Sequence, residues 1–460
     1  MLSLQHIDCQ KIAMQRTLIH HVTIVNEGRQ CKGAVIMEGE VISAIIEGEV
    51  YNVDDFDSVI DGTGCYLLPG VIDSHVHFRD PGLTHKADIT SESRAAVAGG
   101  VTSVMDMPNT HPQTTTLEAW EAKMDNFAQH SLANYSCYFG ATNTNYDLFN
   151  KLDKRRVPAI KLFMGSSTGN MLVDRKESLR HIFGGTDMLI MAHCEDQHTI
   201  SENTAKYKGP DGDAPISMHP MIRSEEACWL SSKLAVELAQ ETGARLHIAH
   251  ISTARELSLL SDEPLTQKRI TGEVCISHLM FNDTDYQPLG AKIKCNPAVK
   301  GVADQVALQQ ALNTQRLDTV ATDHAPHLLC EKQGGALKAV SGMPSIQFSL
   351  NCMLELVDKG IIGIETVVQK MCHNPALLYH IEKRGFIRPG YQADMVLVRP
   401  GVSWTVDNQV LQSKCGWSPL EGHSFNWIVE KTFVNGKLAF ANGTPANDIR
   451  GQELSYGHIQ

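Results

Sequence analysis

The chain has 460 residues, 42% of them hydrophobic and 20% charged, which suits a soluble globular protein and excludes a disordered or fibrous one. Its formal net charge of −12 argues against nucleic acid or an anionic membrane as partner, so any site for an acidic substrate must be made positive locally. No apolar run approaches the ~20 residues that a transmembrane helix needs.

The first stretch, "MLSLQHIDCQKIAMQRTLIHH", has no apolar core ahead of a small-residue cleavage site, so secretion is not expected. Its first dozen residues read as a loose extension. Twelve cysteines are scattered through the chain without a C-x-x-C pair, which fits reduced thiols in a cytoplasmic protein. From about Val22 to Leu68 short β-like runs alternate with turn signals: "HVTIVNEG", "GAVIMEGEVISAII", "VIDGTGCYLLPG".

Beyond Gly70 apolar strands alternate with helical segments. The strand candidates are "GVIDSHVHF", "VTSVMDM", "ANYSCYFGA", "PAIKLFMG", "MLIMAHCED", "RLHIAHIS", "ITGEVCISHLM" and "DTVATDHAPH". Eight strands, each followed by a helix or long loop, predict an α/β protein built on a (β/α)8 TIM barrel over residues 69–384. A doubly wound sheet is the alternative, but no glycine-rich phosphate loop follows the first strand. After Gly385 the β-like pattern returns in "GFIRPGYQADMVLV" and "NWIVEKTFVNGKLAF". Residues 1–68 and 385–460 are therefore expected to pair as a small β-sandwich made from both chain ends.

Active sites in such barrels gather at the C-terminal ends of the strands. The first strand ends in "SHVHFR", where period-two alternation would put His75, His77 and Arg79 on one face. Later strand ends supply Lys161, His193, His250 and Asp323. Imidazoles and carboxylates without thiolates suit zinc, with manganese, iron and cobalt as alternatives. Lys161 lies in an apolar strand, where an ammonium is costly unless it snorkels out or pairs with Asp323. Burial beside cations instead favours the neutral amine, which can take up carbon dioxide to give a carbamate.

The motifs "DSHVHFRDPGLTHK", "MDMPNTHP" and "TDHAPH", together with "HNPALLYHIEKRGFIRPGYQADMVLV", resemble the amidohydrolase superfamily. Within it they are most similar to dihydroorotases of the class with a carboxylated lysine, over nearly the whole chain. The resemblance implies two zinc ions per chain. One is held by His75, His77 and Asp323, the other by His193 and His250, with N-carboxylated Lys161 bridging them. It implies that Asp323 carries the catalytic proton and that Arg79, Asn109, Asn296 and His327 contact the substrate. The reaction would be the reversible interconversion of N-carbamoyl-L-aspartate and dihydroorotate in pyrimidine biosynthesis, with a small molecule as the partner and a homo-oligomer, such as a dimer, as the assembly.

This chain departs from the family in "NPAVK" where "NPPLR" is common and in "ISHL" where "PHHL" is common. Both lie around strand seven and touch the assignment of Asn296. Taken without the resemblance, Arg79 would be a surface charge and Asn109 a turn former. His85 and Lys86 follow in a loop and read as solvated, and Cys194 should point into the core. The rival readings are an allantoinase, or a hydantoinase of the dihydropyrimidinase type, and a non-catalytic scaffold of the same fold. Hydantoins are neutral and give no reason for a cation at position 79, whereas a scaffold should have lost ligand positions that are all filled here.

Overall fold

A computed structural model describes residues 15–48, 52–165 and 171–457. The expected N-terminal extension lies outside the described residues.

Strands β1 (Arg16–Asn26), β2 (Arg29–Glu38) and β3 (Val41–Glu47) form an antiparallel meander. Strands β4 (Ser58–Asp61) and β5 (Tyr66–Pro69) both run parallel to β1, against its first and second halves respectively. The chain then enters the barrel with β6 (Val71–Val76) and β7 (Val101–Asp106), followed by β8 (Asn134–Cys137), which runs almost directly into β9 (Phe139–Gly140). Next come β10 (Ile160–Phe163), β11 (Leu189–His193), β12 (Arg245–Ile248), β13 (Ile270–Cys275) and β14 (Thr319–Ala321). Neighbouring strands pair in parallel, and a bridge between Val76 and His324 returns the end of β14 to β6. With β8 and β9 counted as one, this is the eight-stranded parallel ring that the alternation predicts. Its strands are buried along nearly their full length, as expected where both faces are covered.

The helices between strands carry local start and stop signals. Helix Ile89–Ala98 opens on an Asp88 cap with a reciprocal Ser91 bond. Helix Glu225–Thr242 starts at a Ser224 cap and ends at Gly243, whose φ of +71° is left-handed. The run "ISHLM" departs from expectation. The strand stops at Cys275, and Ile276–Met280 turn into a short helix.

Strands β15 (Met395–Thr405), β16 (Ser424–Val434), β17 (Lys437–Ala441) and β18 (Thr444–Pro445) complete the chain. They join the N-terminal strands in one nine-stranded sheet through an antiparallel pairing of β15 with β5. Strands from both chain ends thus form one separate domain. Ile19, Val35, Met37 and Leu397 pack in one core cluster, and Leu18, Ala34 and Ile36 in another.

Candidate metal centre

All ten residues singled out in the sequence line one cavity of about 290 Å³: His75, His77, Arg79, Asn109, Lys161, His193, His250, Asn296, Asp323 and His327. His75 is the penultimate residue of β6, and His77 lies just past its end. Lys161 is inside β10 and His193 ends β11. His250 and Asp323 each follow their strand by two residues, and both have left-handed backbones, with φ of +38° and +48°. Arg79 is left-handed as well, at +66°. Non-glycine residues rarely adopt such angles unless their surroundings impose them.

The reading of Arg79 needs correction. β6 ends at Val76, so strand alternation does not carry Arg79 into the cavity. The turn at Phe78–Arg79 does. Phe78 drops into the core against Phe127, and its N–H donates to buried Asp106 (2.7 Å), which in turn pairs with Lys123.

Hydrogen bonds to the outer ring nitrogens decide which lone pairs face inward. His75 Nδ1 donates to Glu273 Oε1 (2.7 Å), His77 Nδ1 to Asn109 Oδ1 (2.8 Å) and His193 Nε2 to Glu195 Oε2 (2.9 Å). The Nε2 lone pairs of His75 and His77 then both point at Asp323 Oδ1, 3.3 and 3.0 Å away. His193 Nδ1 meets His250 Nε2 at 2.9 Å. The His75 and His77 lone pairs aimed at the Asp323 carboxylate repel it unless a proton or a cation lies between them. His250 Nδ1, in contrast, has no partner, and the His250 proton can sit on Nε2, facing His193.

Burial holds the His77 imidazole down to about 4 and lowers His193 and His250 as well, so these rings are neutral and fit to bind metal. Burial would raise the Asp323 carboxyl, but the neighbouring His75, His77 and Lys161 outweigh it and hold it well below the usual range. The nitrogen and oxygen atoms of His75, His77 and Asp323 lie within 4.8 Å of one another. The donor set therefore fits divalent ions.

Lys161 neither snorkels nor pairs with Asp323. Its Nζ is fully buried without a hydrogen-bond partner, 5.2 Å from the Phe163 ring centre. Desolvation lowers its pKa to about 8, within reach of the neutral amine. A buried, unpartnered amine among inward-facing imidazoles fits a group that gains an anion by modification.

On the other side of the cavity Arg79 donates through Nε to Pro326 O (3.0 Å) and through Nη2 to His327 Nε2 (2.9 Å). Lys86 corrects a second expectation: it is not solvated. Its Nζ lies 3.1 Å from His327 Nδ1 and 2.6 Å from Glu331. A neutral imidazole cannot accept on both nitrogens, so His327 faces one donor too many. An anion entering this corner would relieve that conflict. His85 is exposed, and Cys194 is in the core, as read from the sequence. Asn109 spends its carbonyl oxygen on His77, and Asn296 Oδ1 accepts from Ser341 Oγ (3.0 Å).

The amidohydrolase family model matches residues 66–439. The chain belongs to this family. Among curated amidohydrolase relatives, the dihydroorotase of Halobacterium salinarum is 33% identical over 403 residues, covering 86% of this chain and 92% of its own. That of Methanosarcina mazei is also 33% identical, covering 84% and 86%, and that of Carboxydothermus hydrogenoformans is 30% identical, covering 91% and 96%. Among solved structures, the L-hydantoinase (dihydropyrimidinase) of Arthrobacter aurescens superposes with a TM-score of 0.90 at 24% identity, covering 96% of this chain and all of its own. The dihydropyrimidinase of Brevibacillus agri NCHU1002 gives 0.85 at 24%, covering 94% and 96%. At that identity these structures establish the shared barrel fold.

Two carboxylates of this amidohydrolase site escaped the sequence reading. Glu273, fully buried on β13, also accepts from Ser74 Oγ (3.2 Å) and from the backbone N–H of His250 (3.3 Å). Glu195 is held by Arg223 as well as by His193. The cue for Glu273 was present: it is an acid inside an apolar strand, the same anomaly that singled out Lys161.

Proposed function

We propose that this chain is a binuclear, zinc-dependent dihydroorotase that interconverts N-carbamoyl-L-aspartate and (S)-dihydroorotate in pyrimidine biosynthesis. One observation carries the choice of substrate: the metal-type donors share a single cavity with Arg79 and His327, which Lys86 backs from outside its lining. A cationic corner suits a carboxylate beside the scissile amide, and the names of the curated relatives point the same way.

In this reading His75, His77 and Asp323 hold one ion, and His193 and His250 the other. Lys161, as the carbamate formed when its neutral Nζ adds to carbon dioxide and releases a proton, would supply the remaining anionic oxygen donors. Such ions supply Lewis acidity, lowering the pKa of a water from 15.7 toward about 7 and polarising a carbonyl. The protein does the rest. Asp323 takes the proton of the attacking water and delivers it to the ring nitrogen that leaves; in the synthetic direction it receives the proton of the attacking nitrogen. Arg79, with Asn109, Asn296 and His327, fixes the carboxylated ring so that its amide carbonyl faces Asp323.

Residues 1–68 and 385–460 make the flanking β domain in this proposal and 69–384 the catalytic barrel, of a homo-oligomeric cytoplasmic enzyme. Among the described residues no helix is long and apolar enough to cross a membrane. The deciding experiment is a substrate panel of dihydroorotate, allantoin and hydantoin with metal-replete enzyme. Efficient turnover of dihydroorotate alone is expected. A clear preference for a neutral ring would transfer the assignment to the hydantoinase or allantoinase type.

A further inference from the structure

A second, separate constellation of metal-type ligands lies in the nine-stranded sheet. In a regular strand His20 and His21 would point to opposite faces. Here the β1–β2 register shifts between Ile19 and Val22, and His21 takes a left-handed backbone with φ +56°. Such a bulge re-aims a side chain, and the two imidazoles end on one side with ring centres 4.2 Å apart.

The parallel register of β1 with β4 sets Asp61 opposite His20, and Asp61 Oδ1 lies 3.2 Å from His21 Nδ1. That carboxylate is fixed before any ion arrives. It accepts from Thr63 N (3.0 Å) and Thr63 Oγ1 (2.7 Å), while Gly62 N donates to His20 O (2.8 Å). One donor atom from each of His20, His21 and Asp61 falls within a 4.8 Å span. His21 and Asp61 are open to solvent, so an ion could enter and keep water in its remaining positions. Arg399, whose Nη1 donates to Thr63 O (2.9 Å), pairs with Glu430.

We propose that His20, His21 and Asp61 form a surface site for a divalent transition ion of the zinc type, which staples β1 to β4. Two imidazoles and one carboxylate around a water-filled position make the donor set that such ions take at neutral pH. None of the three residues lines the barrel cavity, so the site neither requires nor alters the proposed chemistry there.

The test uses the whole enzyme carrying its barrel ions, dialysed against micromolar zinc and analysed for metal per chain. One equivalent beyond the barrel content is expected, with a rise in melting temperature on adding zinc. His21→Ala and Asp61→Asn should each weaken the extra equivalent at least tenfold and abolish the thermal shift, with barrel content and turnover unchanged. His198→Ala, which alters another exposed histidine–carboxylate pair, should leave the extra equivalent in place. No extra equivalent in the unmodified enzyme would overturn the proposal. So would its persistence in a His20→Ala, His21→Ala double variant, or loss of the barrel ions along with it.

Discussion

At Arg79 a left-handed backbone and a buried guanidinium meet in one residue. Nε and one Nη2 proton are engaged, which leaves three N–H groups, enough for a forked grip on a carboxylate. Arg79→Lys keeps the charge and loses the fork. Steady-state kinetics should show kcat/KM for dihydroorotate falling by ~10²-fold, equivalent to ~3 kcal/mol of transition-state binding, with metal content near normal. Unchanged kinetics would remove the carboxylate grip from the proposal. Glu273 acts at one remove, because it fixes the ring of His75 and the backbone of His250 together. Glu273→Ala should loosen metal about 10–100-fold, read as metal retained against a chelator, while KM of the remetallated, fully loaded fraction stays close to normal. Equal metal retention in both proteins would show that Glu273 serves packing alone.

At the scale of elements, the strand ends were legible because apolar runs closing on a histidine or an aspartate break their own pattern. His75, His77, His193, His250 and Asp323 announced themselves in that way, and Lys161 as a charge inside an apolar strand. What stayed hidden depends on contacts distant in sequence. Lys86 looks solvated until Glu331 and His327 are brought beside it by the loop after β14. Arg79 was placed in the right cavity by the wrong geometry, since a turn rather than a pleat aims it. "ISHLM" has the composition of a buried strand and becomes a helix because β13 has already reached the barrel rim.

Loops behave similarly. Asp213 receives the backbone N–H groups of Ala214, Gly335, Leu337 and Lys338, and so ties the segment before helix Glu225–Thr242 to the one after β14. Burial would raise its carboxyl, but these donors hold it down to about 2. A folded-state pKa below the unfolded value stabilises above pH ~4, and that contribution disappears as pH falls toward 2. Asp213→Asn should therefore cost about 1 kcal/mol near pH 7 in urea denaturation, since water screens this loop carboxylate. The gap from the unmodified protein should close on acidification below pH ~4; a gap independent of pH would mean that the amide's shape, not the carboxylate's charge, matters.

In the molecule as a whole, barrel and flanking sheet are joined by a buried polar cluster. Asp394 pairs with Arg384 and also accepts from Asn134 Nδ2 (3.1 Å) and Asn435 N (2.8 Å), while Arg384 reaches Gln452 (3.0 Å). Residues from the start of β8, the segment before β15 and the C-terminal region thus share one network. Removing one partner of a buried ion pair strands the other. Asp394→Ala should lower stability by about 3–5 kcal/mol in thermal or urea unfolding, whereas an exposed pair such as Lys154–Asp187 should contribute under ~1 kcal/mol. A small effect at Asp394 would mean that water takes over the vacated place.

The pairing of β5 with β15 also sets an order of events during synthesis. Residues 66–69 leave the ribosome more than 300 residues before 395–398. At about 5–20 residues per second, β5 waits on the order of tens of seconds for the strand that will cover its open edge. Over that interval the nascent chain carries the short apolar segment Tyr66-Leu67-Leu68-Pro69, with one edge able to pair with any passing strand. Its brevity and its terminal proline limit that hazard. The sheet can close only after the whole barrel has been made, so a ribosome stalled within the barrel would release a chain whose first domain lacks its other half.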